Sequence, residues 1–116
     1  MSDQHTTMAA LRSDVQRFVN DRDWAQFHNP KNLSMCIAIE AAELMEHFQW
    51  LESEASRDVC SSTEQMTAIR EELADILCYL LSFANALEID VSEALRDKLR
   101  KNAEKYPADK FRGRFR

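Results

Sequence analysis

An all-α fold is predicted for this chain by three features of its sequence. It carries one Gly and two Pro, too few for the tight turns and hairpins of a sheet protein. No stretch sustains the period-2 alternation of a half-buried strand. Apolar residues recur instead at 3/4 spacing, the pattern of helices that bury one stripe. A chain of 116 residues makes one domain with room for a core. The expected partition is a domain at residues 1–107 and a basic tail at residues 108–116.

The first helix is expected over Thr7 to Arg22, where Met8, Leu11, Val15, Phe18 and Val19 share one face. An aromatic loop follows, Asp23-Trp24-Ala25-Gln26-Phe27-His28. Asn29-Pro30 starts the second helix: the Asn side chain caps free N–H groups, and Pro at the first helical position has no N–H to leave unpaired. That helix is expected to run about 20 residues, some 30 Å, to near Leu51, with Leu33, Ile37, Leu44, Phe48 and Leu51 on its buried stripe. The polar segment Glu52 to Thr63 is the connection, with room for a short turn of helix. Ser61-Ser62-Thr63-Glu64 reads as a capping box for a third helix reaching roughly Glu88. Its core line is Ile69, Leu73, Ile76, Leu80 and Leu87. Asp90-Val91-Ser92-Glu93 has the same capping logic for a fourth helix, ending near Tyr106-Pro107. The inward stripe of that helix runs through Val91, Leu95, Lys98, Asn102 and Tyr106, two of which break its apolar character. Ala108 to Arg116 is read as a loosely held tail.

Composition excludes several classes of partner. A net charge of −5 and a pI near 5.2 argue against gripping the backbone of a nucleic-acid polymer. A small anionic ligand stays compatible, because bound metal reverses the local sign of the field. Three cysteines, Cys36, Cys60 and Cys78, are an odd number without metal-type spacing and fit a reducing compartment. The strongly apolar run from Ile76 to Leu87 is too short to span a bilayer and contains Asn85. The N-terminal residues show no signal-peptide apolar region. The expected setting is cytoplasmic, with no membrane partner.

The most informative residues are two acidic pairs, Glu40-Ala-Ala-Glu43 and Glu72-Leu-Ala-Asp75. Spacing of i, i+3 puts each pair on one helix face, about 60° apart. At about 100° per residue, Glu40 falls near the middle of the buried stripe, between Leu33 and Leu44. A Glu facing a core is rare unless paired or metal-bound, whereas Glu46 and Glu52 point away from the stripe. Two such helices side by side gather four carboxylates, which repel unless a cation sits among them. A hard divalent ion with oxygen ligands is the expected cofactor, Mg²⁺, with Mn²⁺ as a substitute. Along the third helix Glu72 and Tyr79 share one flank, with Asp75 slightly further out. Lys98 has two readings: it snorkels out of its stripe, or it faces, with Asn102, an anionic ligand held by the metal. Trp24, Phe27, His28 and Trp50 are consistent with ordinary packing or with a stacking box for a flat heterocycle.

The matching text is Asp23-Trp24-x-Gln26-Phe27-His28-x-Pro30-x-Asn32-Leu33, then Glu40-x-x-Glu43-Leu44, then Phe48-Gln49-Trp50. It continues with Glu71-Glu72-Leu73-x-Asp75-Ile76-Leu77-x-Tyr79-Leu80 and closes with Lys98-x-x-x-Asn102-x-x-x-Tyr106-Pro107. On these residues the chain resembles the all-α nucleoside triphosphate pyrophosphohydrolases of the MazG-like superfamily, most closely the dCTP pyrophosphatase branch. The match covers nearly all of the chain beyond the first helix. The resemblance implies a four-helix bundle-like protomer that oligomerises through its helices, as a homodimer or homotetramer. It implies hydrolysis of a nucleoside triphosphate to the monophosphate and pyrophosphate, with dCTP or a modified dCTP preferred. It assigns Glu40, Glu43, Glu72 and Asp75 to metal binding and catalysis, Trp24, His28 and Trp50 to the base, and Lys98 and Asn102 to the phosphate or sugar. Tyr79, inside the matched text, joins the substrate-binding set. One departure is Ile39, which stands where many MazG proteins double the Glu before the first motif. Rival expectations are another substrate of the same superfamily, such as dUTP or phosphoribosyl-ATP, and a non-catalytic helical interaction module. The module leaves Glu40 unexplained, and a di-iron bundle needs Glu-x-x-His pairs that the chain lacks.

Overall fold

Helix caps written in the sequence set most of the element boundaries. In a computed structural model of the chain, residues 2–115 are described, and they form helices and turns without a strand. Helix α1 covers Met8–Asp21; its N-terminus is closed by Thr7, whose side chain accepts from the Ala10 N–H at 3.0 Å. Helix α2 covers Pro30–Glu46, with Asn29 accepting from the Asn32 N–H at 2.9 Å and Pro30 in the first turn. A short helix α3, Ser53–Arg57, and a 3₁₀ turn at Val59–Ser61 fill the connection. Helix α4, Thr63–Leu87, starts one residue later than the sequence suggested. Its cap is Ser62, accepting from the Gln65 N–H at 3.2 Å. Asp90 caps α5, Val91–Lys105, accepting from the Glu93 N–H at 2.8 Å. Within the expected tail, Ala108–Phe111 is a helical turn, α6, and Phe111 packs edge-on against Tyr106 with ring centroids 5.2 Å apart. Met1 and Arg116, at the ends of the expected partition, lie outside the described residues.

Helix α2 ends five residues short of Leu51. The His47 and Phe48 N–H groups bond to the carbonyls of Leu44 and Met45, and this i to i−3 pattern tightens the last turn and stops the helix. The following turns carry Trp50 out into solvent, 88% exposed.

Two helices end on left-handed residues without a glycine. Asp23 has φ +53°, its N–H reaches the Asn20 carbonyl at 3.1 Å, and the Trp24 N–H reaches the Val19 carbonyl at 3.1 Å. These are the paired bonds of a Schellman motif, with Asp at the position glycine usually takes; a short polar side chain tolerates that conformation. Glu88, φ +55°, closes α4 the same way, with Ile89 N–H on the Ala84 carbonyl at 2.9 Å. Arg12 ties the two helices together, donating to Asn85 Oδ1 at 2.9 Å and to the Ile89 carbonyl.

Helices α2 and α4 form the principal pair, and α1 packs on α4. Val19, Leu33, Leu81 and Ala84 are the buried apolar centre. Leu73 and Leu80, expected in the core line of α4, are instead exposed, Leu73 at 59%. The reason is α5, which makes only slight contact with any other element and leaves that flank of α4 uncovered. The same stand-off corrects the inward stripe of α5: Leu95, Lys98 and Tyr106 are exposed, while Val91 and Asn102 are half-buried. No helix among the described residues is long and apolar enough to cross a membrane.

Candidate metal centre and aromatic recess

The packing of α2 on α4 gathers the acids that the sequence separated. Oxygens of Glu40, Glu43 and Glu72 lie within 4.8 Å of one another. One oxygen each of Glu40 and Glu72 (Oε2) is buried without a hydrogen-bond partner. Burial raises the pKa of Glu40, and a hydrogen bond to Glu43 and the charges of Glu43, Asp75 and Glu72 push it the same way. Burial likewise raises Glu72, with Glu43 and Asp75 adding to it and His47 opposing. His47 Nε2 stands 3.9 Å from Glu72 Oε1. Asp75 lies outside the tightest triad, yet its charge acts on both Glu40 and Glu72.

Crowded carboxylates with unpaired buried oxygens fit a cation better than they fit each other. The donor set is hard oxygen throughout, suited to a hard divalent ion rather than a thiolate-seeking one. The metal-free protein should therefore lose stability as pH rises. A raised native pKa means that the folded state holds protons the unfolded chain has released, so the slope of stability with pH is negative between the ordinary value of 4.5 and the raised one. Melting curves in EDTA across that range should show this fall, and Glu40→Gln should flatten it. An unchanged slope in the mutant would place the strain elsewhere.

Beside the acids lies a cavity of about 230 Å³, with Phe18, Trp24, His28, Asp75, Tyr79 and Ser82 among its lining residues. Its rings form a chain: Trp24 to His28 at 6.3 Å between centroids, His28 to Tyr79 at 6.2 Å, and Phe18 edge-on to Trp24 at 5.7 Å. The Arg22 guanidinium covers the outer face of Phe18 at 3.7 Å. The loop carrying Trp24 and His28 is held at both ends. The Schellman turn fixes Trp24, and Asn32 Nδ2 donates to the Phe27 carbonyl at 3.0 Å from the first turn of α2. The volume is below the roughly 300–1,000 Å³ of pockets for drug-sized ligands, which suits one ring better than a whole nucleotide. Burial, then the Asp75 charge, pushes the Cys78 thiol up, away from thiolate character. Burial also raises the Tyr79 phenol.

Of the residues singled out in the sequence, Glu40, Glu43 and Glu72 meet, Asp75 joins the acids to the recess, and Trp24, His28 and Tyr79 line or edge it. Trp50, Lys98 and Asn102 are not brought to it within a single chain: Trp50 and Lys98 are exposed, and Asn102 is half-buried on the detached α5. Ser82, Phe18 and His47 belong to the site's surroundings and were not singled out as site residues. The signal for Ser82 was present, since Glu72, Asp75, Tyr79 and Ser82 follow 3-4-3 spacing along one face of α4.

Comparison with known proteins places the chain in a family. The sequence profile of the MazG-like family matches residues 35–114. Bovine (Bos taurus) dCTP pyrophosphatase 1 is 36% identical over 92% of the chain, and the human (Homo sapiens) protein of that name is 35% identical over 88%. The chain spans 63% of the bovine protein's length and 60% of the human one's. A crystal structure of a pyrophosphatase from Archaeoglobus fulgidus superposes with a TM-score of 0.81 at 38% identity, over 92% of this chain and 98% of that one. With a profile match spanning both acidic pairs and a solved structure that shares the fold along nearly its whole length, the chain belongs to the MazG-like family.

Proposed function

We propose that the protein is a Mg²⁺-dependent nucleoside triphosphate pyrophosphohydrolase that prefers dCTP or a modified dCTP. The observation that carries this reading is the continuity of an acidic cluster with a one-ring aromatic recess through Asp75, which lines the recess and acts on both half-buried glutamates, Glu40 and Glu72. The curated relatives named dCTP pyrophosphatase 1 support the choice of base.

Glu40, Glu43, Glu72 and Asp75 would hold the metal. Bound there, Mg²⁺ supplies positive charge against the triphosphate and lowers the pKa of a water. The carboxylates would hold the ion that neutralises the triphosphate, and one of them, Glu43 the foremost candidate, would receive the proton of the attacking water. Trp24, His28 and Tyr79 hold the base. Little covalent chemistry is left for the protein, since positioning and charge dominate phosphoryl chemistry of this kind. The apolar residues left outside by the small core, Leu73 and Leu80 on α4 with Leu95 and Leu99 on α5, favour a homodimer or homotetramer. In such an assembly Trp50, Lys98 and Asn102 can reach a site that they do not reach in their own chain.

A panel of canonical and 5-modified deoxynucleoside triphosphates, incubated with the purified protein and Mg²⁺ and read by pyrophosphate release, tests the proposal. The highest kcat/KM is expected for dCTP or a 5-modified dCTP. Release of inorganic phosphate in place of pyrophosphate, or inactivity on every triphosphate, would overturn it.

A further inference from the structure

Ser82 stands inside the C-terminal part of α4, 7% exposed, and its hydroxyl has no hydrogen-bond partner in the protein. A serine inside a helix ordinarily bonds back to the carbonyl one turn earlier or points to solvent. Ser82 does neither, and a buried hydroxyl left unpaired carries a desolvation penalty. A second orphan lies on the same walls: His28 Nδ1 is also buried and unpartnered. Ser82 and His28 both line the aromatic recess and a smaller adjoining cavity of about 150 Å³, which also touches Gln16 and Ala86.

Stacked rings hold any flat base, because every base offers a π-face. A recess that only stacks therefore discriminates poorly. Discrimination needs buried polar groups that the right ring satisfies and the wrong ring leaves unpaired. Ser82 also sits at a suitable depth. It follows Asp75 by two helical turns, about 10 Å along the axis, on the side of the recess away from the acids. We propose that Ser82 is a specificity-determining residue: its hydroxyl, beside His28 Nδ1, hydrogen-bonds the polar edge of the pyrimidine whose face the aromatic rings hold. The inference rests on the function proposed above and adds to it the residue that reads the base edge.

Ser82→Ala removes the hydroxyl and little volume. It should keep or raise the melting temperature, because an unpaired buried group disappears. KM for dCTP should rise about three- to tenfold, more than kcat falls, and the preference for dCTP over dTTP should narrow by a similar factor. Ser82→Thr retains the hydroxyl, and the adjoining cavity has room for its methyl, so KM should return to within about twofold of the starting value. Unchanged KM and unchanged base preference in Ser82→Ala would overturn the inference. So would a joint loss of melting temperature and kcat with base preference intact, since that pattern marks a packing role. If the wild-type protein hydrolyses no triphosphate, the underlying function fails instead; if it hydrolyses dCTP and Ser82→Ala does not alter KM or base preference, Ser82 alone is wrong.

Discussion

Glu40→Gln is expected to lower pyrophosphate release about a thousandfold or more, the scale of several kcal/mol of lost charge stabilisation at a metal site. The change is nearly isosteric, so the α2–α4 contact should persist and the helical content should not change. What disappears is one half-buried carboxylate from a cluster whose oxygens lie within 4.8 Å of each other. In EDTA the mutant should melt at or above the wild-type temperature, because like charges are fewer. With millimolar Mg²⁺ the order should reverse, since an ion that binds only the folded state stabilises it by mass action. Thermal melts with and without metal, run beside the pyrophosphate assay, read both effects. Wild-type hydrolysis that persists in excess EDTA would sink the metal mechanism, whatever the mutant does.

Lys98→Met is expected to cut kcat/KM for the triphosphate about tenfold, the size of one charge-assisted contact to phosphate. Its effect on stability should be close to zero. The sequence put Lys98 in an inward stripe, which would have made Met a stabilising replacement; the exposed side chain on the detached α5 removes that expectation. A melting temperature that drops while kcat/KM stays constant would return Lys98 to a structural role.

Local chemistry was the legible part of this chain. Asn29 and Asp90 cap the helices they were expected to cap, because a cap depends on a few neighbouring residues. The acidic pairs were legible for a related reason: helical spacing alone puts Glu40 with Glu43 and Glu72 with Asp75, and a single helix–helix contact completes the cluster. The left-handed turns at Asp23 and Glu88 were harder to see, since glycine, their usual signature, is absent there. What periodicity could not supply was the partner of each apolar face. Leu73 and Leu80 repeat as a core line should, but the line says only that something covers it, and in one chain nothing of comparable extent does. Ser82 shares the helical spacing of Glu72, Asp75 and Tyr79, but spacing alone does not mark it as a site residue. A small residue inside an apolar run reads as packing until its missing hydrogen bond is seen.

In the proposed assembly, a helix that stands off its own bundle would make heredity a matter of pairs of chains. Helix α5 carries Lys98 and Asn102 away from the acids encoded beside them. In the proposed assembly those side chains serve a neighbour, so a chain defective at Glu40 and a chain defective at Lys98 each retain what the other lacks. Co-expressed and randomly paired, they complement to about a quarter of wild-type activity in a symmetric dimer, although each alone is impaired. By the same logic a lesion on α5 would spare its own acids and weaken the site of its partner.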